Sequence, residues 1–206
     1  RADRPVGQPR RESIWARDLV LIKLLISNPL RRRNLAYLTW REDNTGELYQ
    51  RVDKSWWIRI PKSRFKNRHG AAGEQIYDCQ VHPSAWRDIE RYLFIFRPTL
   101  LREATDLVFL TKSSHGVKEH RPWAELSSRV HQLTAKYLPR CSGARAHAFR
   151  HIVATSILKA DGGDYKTAAL VLNDRIQTVE KHYAGIRSSD GADRMAKLLE
   201  GPFSRM

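Results

Sequence analysis

Between Asn44 and Val81 the sequence abandons helical periodicity, and this break constrains the fold more than any other feature. An Asn44-Thr45-Gly46 turn precedes Leu48, Tyr49, Val52, Trp56, Trp57, Ile58 and Ile60, β-type residues interrupted by turn formers. Ile76, Tyr77 and Val81 predict a third strand, and the polar stretch from Pro61 to Glu74 predicts the loop or hairpin that leads to it. On either side the spacing is helical. Trp15, Leu19, Ile22 and Ile26 form one stripe, with Ser13 near its start, until Ser27-Asn28-Pro29 ends the helix. A short helix follows over Arg31–Leu38. Trp86, Ile89, Leu93 and Phe96 mark another, closed by Pro98, and Val108-Phe109-Leu110 predicts a brief strand. Further helices are expected over Trp123–Tyr137, Ala144–Lys159, Tyr165–Leu172, Ile176–Tyr183 and Ala192–Leu199, with Asp164 as an N-cap. The expected fold class is mainly α with a small antiparallel β-sheet (α+β). A single domain would span residues 12–206, behind a basic, flexible lead-in at residues 1–11.

Charge points to the partner. Thirty-seven Lys and Arg face 22 Asp and Glu, a formal net charge of +15. An excess of that size predicts a polyanion as ligand. No apolar run approaches the roughly 20 residues that a membrane span needs. With Cys79 and Cys141 alone, a disulfide scaffold is excluded, and a reducing cytoplasm is the expected location.

The most specific segment is His147-Ala148-Phe149-Arg150-His151, continued by Ile152, Val153 and Ile157. On a helix, His147 and Arg150 share a face, with Phe149, Ile152, Val153 and Ile157 left to bury the other. A guanidinium grips phosphate oxygens bidentately and an imidazole moves a proton beside it, which is the equipment a phosphodiester reaction requires. Rival motifs fail. His147 and His151 are four apart, as in a zinc-binding helix, but no Glu follows the first His and Arg150 stands between them. No Gly-rich loop ending in Gly-Lys-Ser/Thr exists, so nucleotide hydrolysis is unsupported.

Downstream lies Glu180-Lys181-His182-Tyr183-Ala184-Gly185, and with it the chain resembles the catalytic domain of the tyrosine recombinase (phage integrase) family. Pro29-Leu30-Arg31-Arg32-Arg33-Asn34-Leu35-Ala36-Tyr37-Leu38-Thr39-Trp40 resembles the family's first arginine helix, with Arg31 on the catalytic Arg. Ile60-Pro61-Lys62-Ser63-Arg64-Phe65-Lys66-Asn67 resembles its β-hairpin, with Lys66 as the catalytic lysine and Lys62 as the alternative. His147 and Arg150 match the family's His-x-x-Arg-His. Ala169-Leu170-Val171-Leu172-Asn173-Asp174 resembles the Leu-Gly-His segment, and counting back ten residues from Tyr183 puts Asn173 where the family has its second His. Three departures stand out: Pro29 for Gly, Asn34 for an acidic residue, and Leu172-Asn173 for Gly-His.

The resemblance implies a tyrosine recombinase catalytic-domain fold and a site-specific recombinase or integrase of a prokaryotic mobile element. Tyr183 would be the nucleophile, forming a 3′-phosphotyrosyl link. Arg31 and Arg150 would stabilise the transition state, Lys66 would protonate the leaving 5′ oxygen, and His147 and Asn173 would assist at the phosphate. Arg32, Arg33, Lys62 and Arg64 are expected to track double-stranded DNA. Neither metal nor ATP is implied, because the covalent link conserves the bond energy. A phenol of ordinary pKa is only about 0.1% ionised at pH 7, so clustered cations are needed to activate it. The helix over residues 192–199 would couple protomers in a tetrameric synapse or fold back on its own domain. The lead-in reads as the stub of a linker from a preceding helical domain that the sequence lacks. The alternatives are a relaxing topoisomerase of the same chemistry and a catalytically silent DNA-binding module, the latter on the evidence of Asn34 and Asn173.

Overall fold

The structure, a computed structural model, describes residues 9–65, 76–111, 119–160 and 164–183. Helix α1 (Pro9–Ser27) takes in the last three residues of the lead-in, since proline is tolerated in a first helical turn and Glu12 suits its positive end. Its buried face is Ala16, Val20, Leu21, Leu24 and Leu25. The Trp15–Leu19–Ile22–Ile26 stripe lies one position round the helix: Ile26 is 57% exposed, and the four line an apolar groove of about 270 Å³ with Leu133, Tyr137 and Phe149. Ser13 does not cap the helix. It sits inside it, fully buried, with its hydroxyl against Thr99.

Asn28 locks the end of α1. Its amide donates to the Tyr77 hydroxyl and to the Gln80 carbonyl, and Ser27 Oγ accepts from the His82 N–H. The turn is thus tied to the sheet before α2 (Arg32–Ala36) begins.

Strands β1 (Leu48–Gln50), β2 (Trp56–Ile60) and β3 (Tyr77–Gln80) form one antiparallel sheet in the order β1-β2-β3, as expected. Leu48 pairs with Ile58, and Ile58 with Cys79. Alternation sends Trp56, Ile58 and Ile60 inward and leaves Trp57 and Arg59 outside. Trp56 is core; Trp57 carries the Arg51 guanidinium over its ring at 3.3 Å and donates to Ser55 Oγ. Gly46 is required where the chain turns into β1: a Cβ there would lie 2.7 Å from the Trp40 Cα.

Helix α3 (Trp86–Arg91) continues through a π-helical turn (Tyr92–Phe96) into α4 (Arg97–Leu100). Pro98 therefore does not close the helix. The wide π turn ahead of it leaves Pro98 in the first turn of a new α segment, where its missing N–H costs nothing. Val108, Phe109 and Leu110 are core but not a strand; one isolated bridge joins Leu107 to Thr39, and the Thr105 and Leu107 carbonyls accept from the buried Arg97 guanidinium.

Helices α5 (Leu126–Tyr137), α6 (Ala146–Ala160), α7 (Tyr165–Leu172) and α8 (Ile176–Tyr183) complete the described fold. Asp164 caps α7, accepting from the Thr167 N–H. Ile152 is exposed rather than buried, because the inward stripe of α6 is Ala146, Phe149, Arg150, Ala154 and Leu158. Ala154 and Leu158 meet Ala168, Ala169, Leu172 and Val179 in a second small core that fixes α7 and α8 on α6. The expected helix over residues 192–199 lies outside the described residues, as does Lys66. Among the described residues no helix is long and apolar enough to cross a membrane.

Candidate active site

Arg31 and Arg150 come from opposite halves of the sequence and meet at one carboxylate. Arg31 stands just before α2 in extended conformation, where the locked Ser27-Asn28-Pro29 turn delivers it. Its Nη2 donates to Asp174 Oδ1 at 3.0 Å and Oδ2 at 3.3 Å. Arg150 enters from α6, 1% exposed. It donates through Nη2 to Asp174 Oδ2 at 2.7 Å and through Nη1 to the Pro29 carbonyl. The same turn thus positions the first arginine and anchors the second. A buried charge needs such partners, since an unpaired one is strongly destabilising.

The residue between the guanidiniums is Asp174, not Asn173. Asn173 sits at the end of α7 with φ 49° and ψ 55°, the left-handed conformation. Its N–H donates to the Leu170 carbonyl and the Asp174 N–H to the Ala169 carbonyl, the two bonds of a Schellman turn. A left-handed residue at that place is most often Gly, with Asn the next choice. Asn173 thus holds the place of a helix-ending glycine, and Asp174, the next residue and nine before Tyr183, faces the arginines. Asn is the residue that most often substitutes for Gly at a helix end, so the sequence carries a signal for this turn. The side-chain Nδ2 of Asn173 is buried without a hydrogen-bond partner. Replacing Asn173 with Gly is expected to stabilise the fold by roughly 0.5–1 kcal/mol, by relieving the left-handed backbone and removing the orphaned amide. Chemical denaturation of the variant checks this.

His147 lies one turn before Arg150 on α6, at the surface, with its ring edge-on to His151 at 4.9 Å. Burial lowers its pKa below the ordinary histidine value, and the neighbouring His151, Arg150 and Arg31 lower it further against the opposing pull of Asp174. The imidazole is therefore neutral at pH 7, able to donate from one nitrogen and accept at the other. His147 favours the fold while neutral, so its contribution is present above the unfolded value near 6.5 and is lost as pH falls through the lower folded value. An NMR titration is expected to place the His147 midpoint below 6.5, and Arg31→Ala is expected to raise it. A midpoint that does not respond would separate the imidazole from the arginine pair.

The candidate DNA contacts are exposed. Arg32 reaches the Ala124 carbonyl, Arg33 lies over the Tyr37 ring, and Lys62 is open to solvent in a short 3-10 turn. Arg64 is more constrained: it pairs with Glu47 at 3.1 Å and donates to the Tyr37 carbonyl. Burial raises the Glu47 pKa, with Arg64 opposing the shift. Asp174 also borders a cleft of about 1130 Å³ between β3 and α7–α8, which Lys166, Lys181 and His182 line from the helical side. Helix α8 starts two residues after Asp174 and ends at Tyr183, about 10 Å further along its axis.

A sheet of this topology set among these helices is the catalytic-domain fold of the tyrosine recombinases. The chain is similar to the XerA recombinase, with 15% identity and a TM-score of 0.58 over 96% of this chain and 66% of that one. It is also similar to the XerH site-specific recombinase bound to difH substrate (16%, 0.61, 91% and 47%) and to the Tn1549 transposon integrase bound to transposon right-end DNA (16%, 0.52, 88% and 58%). The chain spans less than two thirds of each of these proteins. No family model and no curated protein matches the sequence.

Proposed function

We propose that this chain is the catalytic module of a site-specific DNA recombinase or integrase that cuts and rejoins DNA through a covalent 3′-phosphotyrosine at Tyr183. One observation carries the reading: Arg31 and Arg150 converge on a single two-oxygen anion, and a phosphodiester presents the same pair of oxygens. The fold shared with DNA-bound recombinases and the +15 charge support DNA as the source of that phosphate.

The chemistry follows from the residues. The non-bridging oxygens gain charge in the pentacoordinate transition state, and two preset guanidiniums stabilise it where it forms. Neutral His147 is able to donate a hydrogen bond to a phosphate oxygen or to hold a proton. The Tyr183 oxygen attacks phosphorus as its proton passes to a neighbouring base, for which neutral His147 is the candidate, the bond to the 5′ oxygen breaks, and that oxygen takes up a proton, which the family resemblance assigns to Lys66. Attack by a free 5′ hydroxyl then reverses the step and restores the phenol.

A nicked suicide duplex tests the reading, because loss of the short 5′ fragment traps the protein–DNA species. A denaturation-resistant complex is expected from the native chain and none from Tyr183→Phe. Duplex binding should also weaken steeply with salt, because added salt makes the release of condensed counterions less favourable. A second reading, a catalytically silent DNA-binding module, is favoured by the Asp174 carboxylate that occupies both arginines; it predicts duplex binding without any trapped species.

A further inference from the structure

Asp174 is aimed at the arginine pair by the backbone. The Schellman turn at Asn173 fixes its N–H, its side chain is only 9% exposed, and both of its oxygens are used by guanidiniums. A DNA phosphodiester has the same single negative charge and the same two acceptor oxygens. The carboxylate and the phosphate therefore compete for the same donors, and like charges at that distance repel.

The donors are incompletely used in this state. Two buried side-chain nitrogens lack a hydrogen-bond partner: Arg150 Nε, on the guanidinium that grips the carboxylate, and Asn173 Nδ2, on the residue before it. A planar carboxylate presents its two oxygens in one plane, whereas the oxygens of a tetrahedral anion diverge and can meet donors in further directions. The two arginines also differ in freedom. The Arg31 side chain is 36% exposed, whereas Arg150 is buried and held by the Pro29 carbonyl.

We infer that Asp174 is an internal phosphate mimic that closes the arginine pair in the DNA-free chain and is displaced when a tetrahedral anion enters. Opening occurs on the Arg31 side, while Arg150 stays anchored. The inference rests on the recombinase reading in taking a DNA phosphodiester as the displacing anion. Its consequence is autoinhibition: the site stays shut to weakly held phosphates and opens only when the rest of the DNA interface holds the backbone in place.

Sulfate tests this without requiring catalysis. Its affinity is measured by calorimetry for the native chain, Asp174→Asn and Asp106→Asn at constant ionic strength. Asp106 pairs with Arg41 at the surface, so its substitution removes the same charge away from the site. Asp174→Asn is expected to bind sulfate at least about tenfold more tightly than the native chain, Asp106→Asn to match the native chain, and Arg31→Ala to abolish the gain. No gain in Asp174→Asn, or an equal gain in Asp106→Asn, overturns the inference. If Asp174→Asn fails to fold because Arg150 loses its counter-charge, sulfate must restore cooperative melting where chloride of equal ionic strength does not; absence of rescue also overturns it. Tighter sulfate binding with no Tyr183-dependent DNA complex would sink the recombinase reading alone, and a Tyr183-dependent complex with no gain for sulfate would sink the mimic alone.

Discussion

Replacing Arg150 with alanine is expected to destabilise the fold by about 3–5 kcal/mol, a large part of the 5–15 kcal/mol that holds a domain of this kind together. Arg150 is 1% exposed and binds two acceptors, the Pro29 carbonyl and Asp174 Oδ2, the second of them shared with Arg31 at the longer distance of 3.3 Å. Truncation orphans the carbonyl, leaves Asp174 with Arg31 alone and opens a cavity beside α6. Lysine is not a conservative substitute, since one ammonium lacks the fork that spans both acceptors. Urea unfolding with an unchanged slope would report the loss as stability. A loss below about 1 kcal/mol would mean that the arginine is not the keystone joining α6 to the Pro29 turn.

Arg31→Ala is expected to behave in the opposite way. The side chain is partly exposed, and Asp174 keeps Arg150 as a partner, so stability should change by no more than about 1 kcal/mol. Strand cleavage, however, should fall about a hundred- to a thousandfold, the usual consequence of removing one preorganised donor from a developing oxyanion. Single-turnover cleavage of a nicked duplex, beside a melting curve, separates the two effects. Equal losses in both would make Arg31 a structural residue.

Much of the fold was legible because it rests on local patterns. The β-type residues between turn formers reported the sheet, and the start of α7 followed from the Asp164 cap. What escaped depended on tertiary packing. The stripe through Trp15 and Ile26 is as periodic as the true buried face one residue round, and only contacts with the π turn and with α6 decide between them. Pro98 was misleading because a π turn is invisible to 3.6-residue periodicity. In the site, His147 and Arg150 were legible from their spacing on one helix and Arg31 from the family resemblance, and the two arginines meet at Asp174. Asp174 was hidden because only the left-handed turn at Asn173 aims it at the arginines, and Asn28 by the ordinary look of a helix-breaking turn.

The most direct test of the central claim is mass spectrometry of the peptide that carries DNA after trapping on a nicked duplex. The account predicts a 3′-phosphoryl nucleotide joined to the oxygen of Tyr183, and its disappearance in Tyr183→Phe while duplex binding persists. A covalent adduct on any other side chain, or an undiminished adduct in Tyr183→Phe, would contradict it.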